Sequence, residues 1–239
     1  AASDVYKRQP CDGAEGRLTL LEAEPLCASV GIAALKKPGE RVSGDRGTYF
    51  KTDAGALCVI LSDGMGSGED AAGESCEAVA ILERFLRSGV DPAVAMKILN
   101  SVMLLRNGDE WGYATVDLMY IDLFTGEASF YKYGAAPSYV RSGKSVRRID
   151  CESLAAGMTA GEGAKPDMVH MHLHPESVAV IASDGVVSGA QDGWLRSILA
   201  DCDGRDMKAL ARTVLRRACE EMGEGDDMTV LAVRVDARA

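Results

Sequence analysis

The sequence predicts an α/β sandwich folded as one domain, and three observations carry that reading. The chain has 239 residues, 47% of them hydrophobic, and α/β sandwiches of this size commonly stay undivided around one core. Strand-like segments, either alternating or continuously apolar, are interleaved with segments of helical spacing, and the first two helical segments follow one another directly. Two apolar runs end in the same way, at Ser62-Asp63-Gly64 and at Ser183-Asp184-Gly185.

Residues 1–24 lack sustained periodicity and read as a fragment edge or linker, with 18–21 open between a short helix and a linker end. The domain is expected over residues 25–239. Within 26–35, Cys27, Ser29, Gly31 and Ala33 alternate with apolar Leu26, Ala28, Val30 and Ile32, the pattern of a half-buried strand. Lys36-Lys37-Pro38-Gly39 turns the chain. Ser43-Gly44-Asp45-Arg46-Gly47 then sets a glycine-flanked acid just before the central strand, and Asp53-Ala54-Gly55 is the next turn. The central strand, 56–61, is apolar throughout and reads as buried on both faces.

Ser62-Asp63-Gly64-Met65-Gly66-Ser67-Gly68 leads into a helix that opens on Glu69 and Asp70, acids suited to the positive end of a helix dipole. Ala72, Cys76, Val79, Leu82 and Leu86 form its apolar stripe, and Ser88-Gly89 ends it. In the second helix Asp91 is the N-cap and Pro92 the first helical residue, with a stripe of Ala95, Ile98, Leu99, Val102 and Leu105. The two make an antiparallel hairpin lying on a sheet. After Asn107-Gly108-Asp109 come strands at 114–123, 128–133, 138–141 and 145–149, read as one antiparallel meander. A buried strand at 178–182 and a short helix at 194–199 follow. The helix at 206–222 carries Met207, Leu210, Val214, Leu215 and Ala218 on one face and stops at Gly223, before a last strand at 230–235.

Composition excludes several classes of function. A formal charge of −10 opposes binding to nucleic acid or anionic lipid, which need concentrated basic surface; a protein partner or a small ligand is expected instead. The longest apolar runs are about six residues, against the roughly 20 of a membrane-spanning helix, and no positively charged start leads into an apolar run. The seven cysteines are odd in number and widely spaced, and read as reduced core thiols of a cytosolic protein. Val169-His170-Met171-His172-Leu173-His174 puts three histidines on one strand face. A zinc site is the sharper reading, but no cysteine or acid stands nearby in sequence to complete it, so a solvated strand face is expected.

Four acids, Asp45, Asp63, Asp184 and Asp226, each lie at the glycine-flanked end of an apolar strand. A lone Asp-Gly is an ordinary turn; four such ends suggest one assembled site. Oxygen-only ligands favour Mg²⁺ or Mn²⁺ over zinc, and Asp63 with the Gly64 carbonyl can face one hard cation. Two such ions can share a bridging water, lower its pKa and clamp an in-line phosphoryl displacement, so hydrolysis of a phosphate ester follows. Asp227 adjoins Asp226, where a solvated turn would also tolerate two acids.

Ser43-Gly44-Asp45, Ser62-Asp63-Gly64-Met65-Gly66-Ser67-Gly68, Gly134-Ala135-Ala136-Pro137-Ser138, Ala182-Ser183-Asp184-Gly185 and Asp226-Asp227-Met228-Thr229 resemble, in order, the motifs of metal-dependent type 2C protein serine/threonine phosphatases. The nearest branch is the phosphatase domain of the bacterial stage II sporulation protein E family, and the match covers roughly 25–236. The resemblance implies an α-β-β-α sandwich of two central, mostly antiparallel sheets flanked by helical hairpins, with two Mn²⁺ or Mg²⁺ at one edge. It implies that Asp63 bridges the ions, the Gly64 carbonyl assists, Asp45 holds one ion, and Asp184 and Asp226 hold the other, with Asp227 the alternative ligand. It further implies attack by the metal-bridging water on a phosphoserine of a small anti-sigma factor antagonist, in sporulation control. The chain would be the cytoplasmic C-terminal domain of a membrane-anchored parent, itself not membrane-embedded, and a dimer is compatible with this. The rival is a catalytically weak or dead module that keeps the fold for binding or sensing; loss of a metal Asp would mark it, and all four are present.

Two departures stand out. Many eukaryotic relatives have an acid just before the first Asp and an Arg a few residues earlier for the substrate phosphate, where this chain has Gly44 and Glu40; Arg41 and Arg46 are the substitute candidates. The glycine joint between Asp63 and the following helix, Gly66 and Gly68 in particular, is expected to couple helix position to metal affinity.

Overall fold

The computed structural model describes residues 5–8, 19–106, 112–161 and 165–238. Along the chain these give β1 (Val5–Arg8), β2 (Thr19–Glu22), β3 (Leu26–Leu35), β4 (Asp45–Lys51), β5 (Ala56–Gly64), α1 (Gly68–Arg87), α2 (Pro92–Arg106), β6 (Ala114–Asp122), β7 (Glu127–Tyr133), β8 (Ser138–Ser142) and β9 (Ser145–Ile149). They continue with β10 (Asp167–His172), β11 (Val178–Ala182), α3 (Gly193–Asp201), α4 (Met207–Met222) and β12 (Met228–Ala237). One five-stranded sheet has the order β10-β7-β6-β5-β4 and the other β3-β12-β11-β8-β9, with neighbours antiparallel throughout.

Three apolar layers hold these elements together. Val59, Met119 and Phe130 of the first sheet meet Ile181, Leu231 and Val233 of the second. Outside the first sheet, Leu82 of α1 and Met96 and Leu99 of α2 pack on Ile60 and Leu118; outside the second, Leu199 of α3 and Leu210 and Val214 of α4 pack on Val180 and Val230. Burying each such side chain contributes roughly 1.5–3 kcal/mol relative to leaving it in water. The result is the expected α-β-β-α sandwich. The expected caps agree as well: the Asp91 carboxylate accepts the Val94 N–H at 3.1 Å and Gly223 ends α4 at φ 76°; Asp206, read as the first residue of that helix, caps it instead, its carboxylate accepting the Ala209 N–H.

Several local expectations need correction. The four strands from 114 to 149 are not one meander: β6 and β7 belong to the first sheet, β8 and β9 to the second. Gly134 turns the chain at φ 58°, where a Cβ would meet the Ala155 backbone, and the chain crosses to the other sheet before Ser138. Of residues 18–21, open between a helix and a linker end, 19–21 lie in a strand, β2, paired with Val5–Arg8. The buried face of α1 is Ala71, Glu74, Ser75, Ala78, Val79, Leu82 and Leu86, so the stripe is rotated: Cys76 is exposed and Ala72 only half-buried. On α2 the deep residues include Met96 and Asn100, and Leu105 is 84% exposed.

In β3 both faces are used, Ala28 and Val30 toward the inter-sheet core and Gly31 and Ala33 buried on the other. A Cβ at Gly31 would lie 2.1 Å from the Met207 backbone, so α4 sits directly on that face, while Ile32 is exposed. The six cysteines among the described residues are free, but only Cys58 is a core thiol; Cys11 and the 107–109 turn lie outside the described residues.

Candidate active site

The acids converge because of register. Asp45 opens β4 directly opposite Asp63, near the end of β5. Residues opposite one another in an antiparallel pair share a face and successive residues alternate. Asp63 therefore lies on the inter-sheet face with Val59 and Leu61. In the second sheet Ala182 of β11 pairs with Val230 of β12, which brings Asp184, just after β11, and Asp226-Asp227, just before β12, to one end.

Glycines permit the close approach. A Cβ on Gly185 would lie 2.1 Å from the Asp227 carbonyl oxygen, and one on Gly64 would lie 1.9 Å from the Ala71 carbonyl oxygen of α1. A Cβ on Gly44 would sit 3.4 Å from Asp227 Oδ2 and 3.5 Å from Asp63 Oδ1. The position that holds an acid in many relatives is therefore a packed seam here.

The electrostatics are those of an uncompensated cluster. Both carboxylate oxygens of Asp45 are buried without a hydrogen-bond partner. Burial raises its pKa to about 6; the Ser183 and Thr229 hydroxyls, close enough to lend weak hydrogen bonding but not in position to form a regular bond, oppose the rise, and Asp227 and Asp184 add to it. Asp63 is pushed up to about 8, first by burial and then by Asp45, Asp184, Asp226 and Asp227. Asp184 is exposed as a residue, yet its carboxyl is close enough to share a hydrogen bond with Asp63 and is raised by burial and by Asp226.

Asp227 behaves differently from its neighbours. Its Oδ1 accepts the Lys37 N–H at 2.8 Å and its Oδ2 the Gly44 N–H at 2.7 Å, so it ties the 36–44 loop to the start of β12. Its own N–H donates to Asp226 Oδ1 at 2.9 Å. Asp226 is exposed.

The donor set fits hard divalent cations: several carboxylates, two buried oxygens on Asp45 with no partner, and a repulsion that cations would offset. Among the described residues no three His, Cys, Asp or Glu side chains are already arranged to hold one ion. The phosphate candidates do not join the cluster. Arg46, next to Asp45 on β4, lies on the opposite face and is exposed, and Arg41 is exposed in the 36–44 loop. Two of the three histidines share a strand face, and His174 lies just beyond the end of β10. His170 and His172 lie on the exposed face of β10, bonded to Ser129 at 2.7 Å and Glu127 at 3.1 Å.

Two further groups escaped the sequence reading. Glu74 of α1, 8% exposed, accepts the Met65 N–H at 3.1 Å and the Gly112 N–H at 2.6 Å, so the helix grips the chain just beyond Gly64. Asp117, Lys132 and Ser138 form a buried network beside Asp63. The signal was a charge in the middle of each of two apolar strands, in Val116-Asp117-Leu118 and Tyr131-Lys132-Tyr133.

Comparison with known proteins gives this architecture its class, that of PP2C-type serine/threonine phosphatase domains. The structure of the PP2C phosphatase domain with a fragment of the regulatory domain of SpoIIE from Bacillus subtilis superposes with a TM-score of 0.84 at 28% identity, covering 100% of this chain and 72% of that one. RsbX in complex with magnesium, at 17% identity and a TM-score of 0.70, shares the fold. The chain belongs to the stage II sporulation protein E family, whose sequence model matches residues 53–236. The stage II sporulation proteins E of Priestia megaterium and Bacillus subtilis (strain 168) are 31% and 32% identical over 212 and 215 residues, 86% and 87% of this chain. The matched regions are 36% and 26% of those relatives' lengths. Among the described residues no helix is long and apolar enough to cross a membrane.

Proposed function

We propose that this domain hydrolyses phosphoserine on a small regulatory protein of the anti-sigma factor antagonist type, with two Mg²⁺ or Mn²⁺ held by Asp45, Asp63, Asp184 and Asp226 and the Gly64 carbonyl. The observation that carries the reading is the buried Asp45 carboxylate, without a partner and facing Asp63 in register. Ions bound there supply a water of lowered pKa and positive charge for the phosphoryl oxygens. The chain's own residues supply the positioning: Asp227 fixes the 36–44 loop through two main-chain N–H groups, and the Thr115 hydroxyl accepts the Asp63 N–H at 3.3 Å. Sporulation control, a membrane-anchored parent and a cytoplasmic setting follow by analogy with the family.

Control through α1 belongs to the same proposal. The Ala71 carbonyl sits where a Gly64 side chain would be, and Glu74 holds Met65. Gly66 and Gly68 take φ values of 95° and 75°, left-handed conformations that any other residue adopts with strain. A partner that shifts α1 therefore shifts the Gly64 end of the site, with a coupling on the order of 1–3 kcal/mol.

One experiment tests both parts: hydrolysis of a phosphoserine peptide during Mn²⁺ titration, on the wild type and on the Gly66→Ala and Gly68→Ala variants. Hydrolysis should need Mn²⁺ or Mg²⁺ and stop in EDTA, and both alanines should alter Mn²⁺ affinity. Undiminished turnover in EDTA removes the metal-dependent reading; unchanged affinity in both variants makes the joint an ordinary turn.

A further inference from the structure

Asp117 and Lys132 sit opposite one another in the β6–β7 pairing, each 1% exposed. The Lys132 ammonium donates to Asp117 Oδ2 and, at 2.7 Å, to Ser138 Oγ. The Ser138 hydroxyl donates to the same Asp117 Oδ2 at 2.5 Å. Ser138 opens β8, so the network pins the two sheets together across the 134–137 crossover. That is a structural role, and it accounts for Oδ2 only.

Asp117 Oδ1 is buried and accepts no hydrogen bond, a costly arrangement for a charged group. Asp117 also lines a cavity of ≈ 10 Å³ with Asp63, Thr115, Ser183 and Asp184, walled by the 134–136 crossover. That is room for about one water, which needs two to four polar partners. The lining supplies them. A water there would donate one hydrogen to Asp117 Oδ1 and the other to the Asp63 or Asp184 carboxylate. The Thr115 hydroxyl, whose oxygen already accepts the Asp63 N–H, can donate its own hydrogen to the water.

We propose that Asp117, Lys132 and Ser138 are positioning residues for the candidate active site, acting through one water that joins Asp117 Oδ1 to the carboxylates of Asp63 and Asp184. The inference rests on the phosphatase reading above. Lys132 and Ser138 fix Asp117, Asp117 fixes the water, and the water sets the orientation in which Asp63 and Asp184 face their ligands. Partners at this remove commonly alter metal affinity or activity by about 10–100-fold.

Two measurements on the whole chain test it. A high-resolution crystal structure of the wild type should show an ordered water bonded to Asp117 Oδ1 and to Asp63 or Asp184. A protein group on Oδ1, or a dry cavity, overturns the proposal. The double variant Asp117→Asn with Lys132→Met removes both charges together, which leaves no lone buried ion. It should melt near the wild-type temperature, bind Mn²⁺ about 10-fold or more weakly by calorimetry, and show lowered kcat at saturating Mn²⁺ with KM unchanged. Wild-type Mn²⁺ affinity and kcat in the folded variant overturn the proposal by making the network a pin alone. If the variant does not fold, the wild-type water decides. Failure of the phosphatase reading would show as absent metal-dependent turnover in the wild type, which neither the water nor the Mn²⁺ isotherm depends on.

Discussion

Asp192 and Asp45 are both largely buried acids of one sandwich, and the fold treats them in opposite ways. Asp192, just before α3, accepts the Tyr139 hydroxyl and an Arg148 N–H, each at 2.9 Å. Burial alone would raise its pKa, but hydrogen bonds from Arg148 and Tyr139 outweigh that and hold it below the ordinary carboxylate range. Asp45 has no partner on either oxygen and Asp63 faces four other acids, so both are pushed the other way. The chain has the means to satisfy a buried carboxylate and leaves the Asp45 end unsatisfied. Such an arrangement lowers the stability of the protein alone, and it makes sense where a cationic ligand completes the site.

The contrast can be broken from either side. The largest effect is expected from Asp63→Asn, which keeps shape but cannot ionise to give a cation the carboxylate that faces the other acids. Turnover on a phosphoserine peptide should fall by at least about a hundredfold, roughly 3 kcal/mol of transition-state stabilisation, while the circular dichroism spectrum stays that of the wild type. Activity within about tenfold of wild type would remove Asp63 from the site. A smaller and different effect is expected from Asp192→Ala, which strips Tyr139 and Arg148 of their shared acceptor. Denaturant melts should show a loss of about 2–3 kcal/mol, with activity per folded molecule unchanged. A loss of turnover without a loss of stability would contradict the division between structural and functional acids.

Much of this was legible in the sequence, because strand ends marked by Ser-Asp-Gly announce both the buried strand and the acid that closes it. The strands that end at Asp63 and Asp184 were legible that way, whereas β4, which Asp45 opens, and the β1–β2 pair were not, because Asp45–Lys51 is mixed in polarity and shows no clear alternation. Alternation did not reveal which sheet a strand joins: Ser138–Ser142 and Glu127–Tyr133 have similar patterns, and only the backbone at Gly134 separates them. The phase of α1 was misread because its buried face includes Glu74 and Ser75, polar residues satisfied by main-chain partners that lie far off in sequence or a turn away. The Arg46 candidate fell to the same period of two that placed Asp45, since neighbours on a strand face opposite ways. The role of Asp227 was invisible because its partners, Lys37 and Gly44, lie more than 180 residues earlier.

If the acids are held unsatisfied for cations, the stability of the metal-free protein must depend on pH in a definite direction. Asp63 has a folded-state pKa of about 8 and Asp45 of about 6, against an ordinary 3.8. The native state therefore holds protons that the unfolded chain has released. Their contribution to stability is complete below about pH 4 and is lost as pH rises through 6 and then 8. Metal-free wild type should accordingly melt lower at pH 8 than at pH 5, Mn²⁺ should restore most of the difference at pH 8 and little at pH 5, and Asp63→Asn should flatten the dependence without metal. A wild-type melting temperature that rises from pH 5 to pH 8 in EDTA, or that Mn²⁺ leaves unchanged at pH 8, would contradict the account.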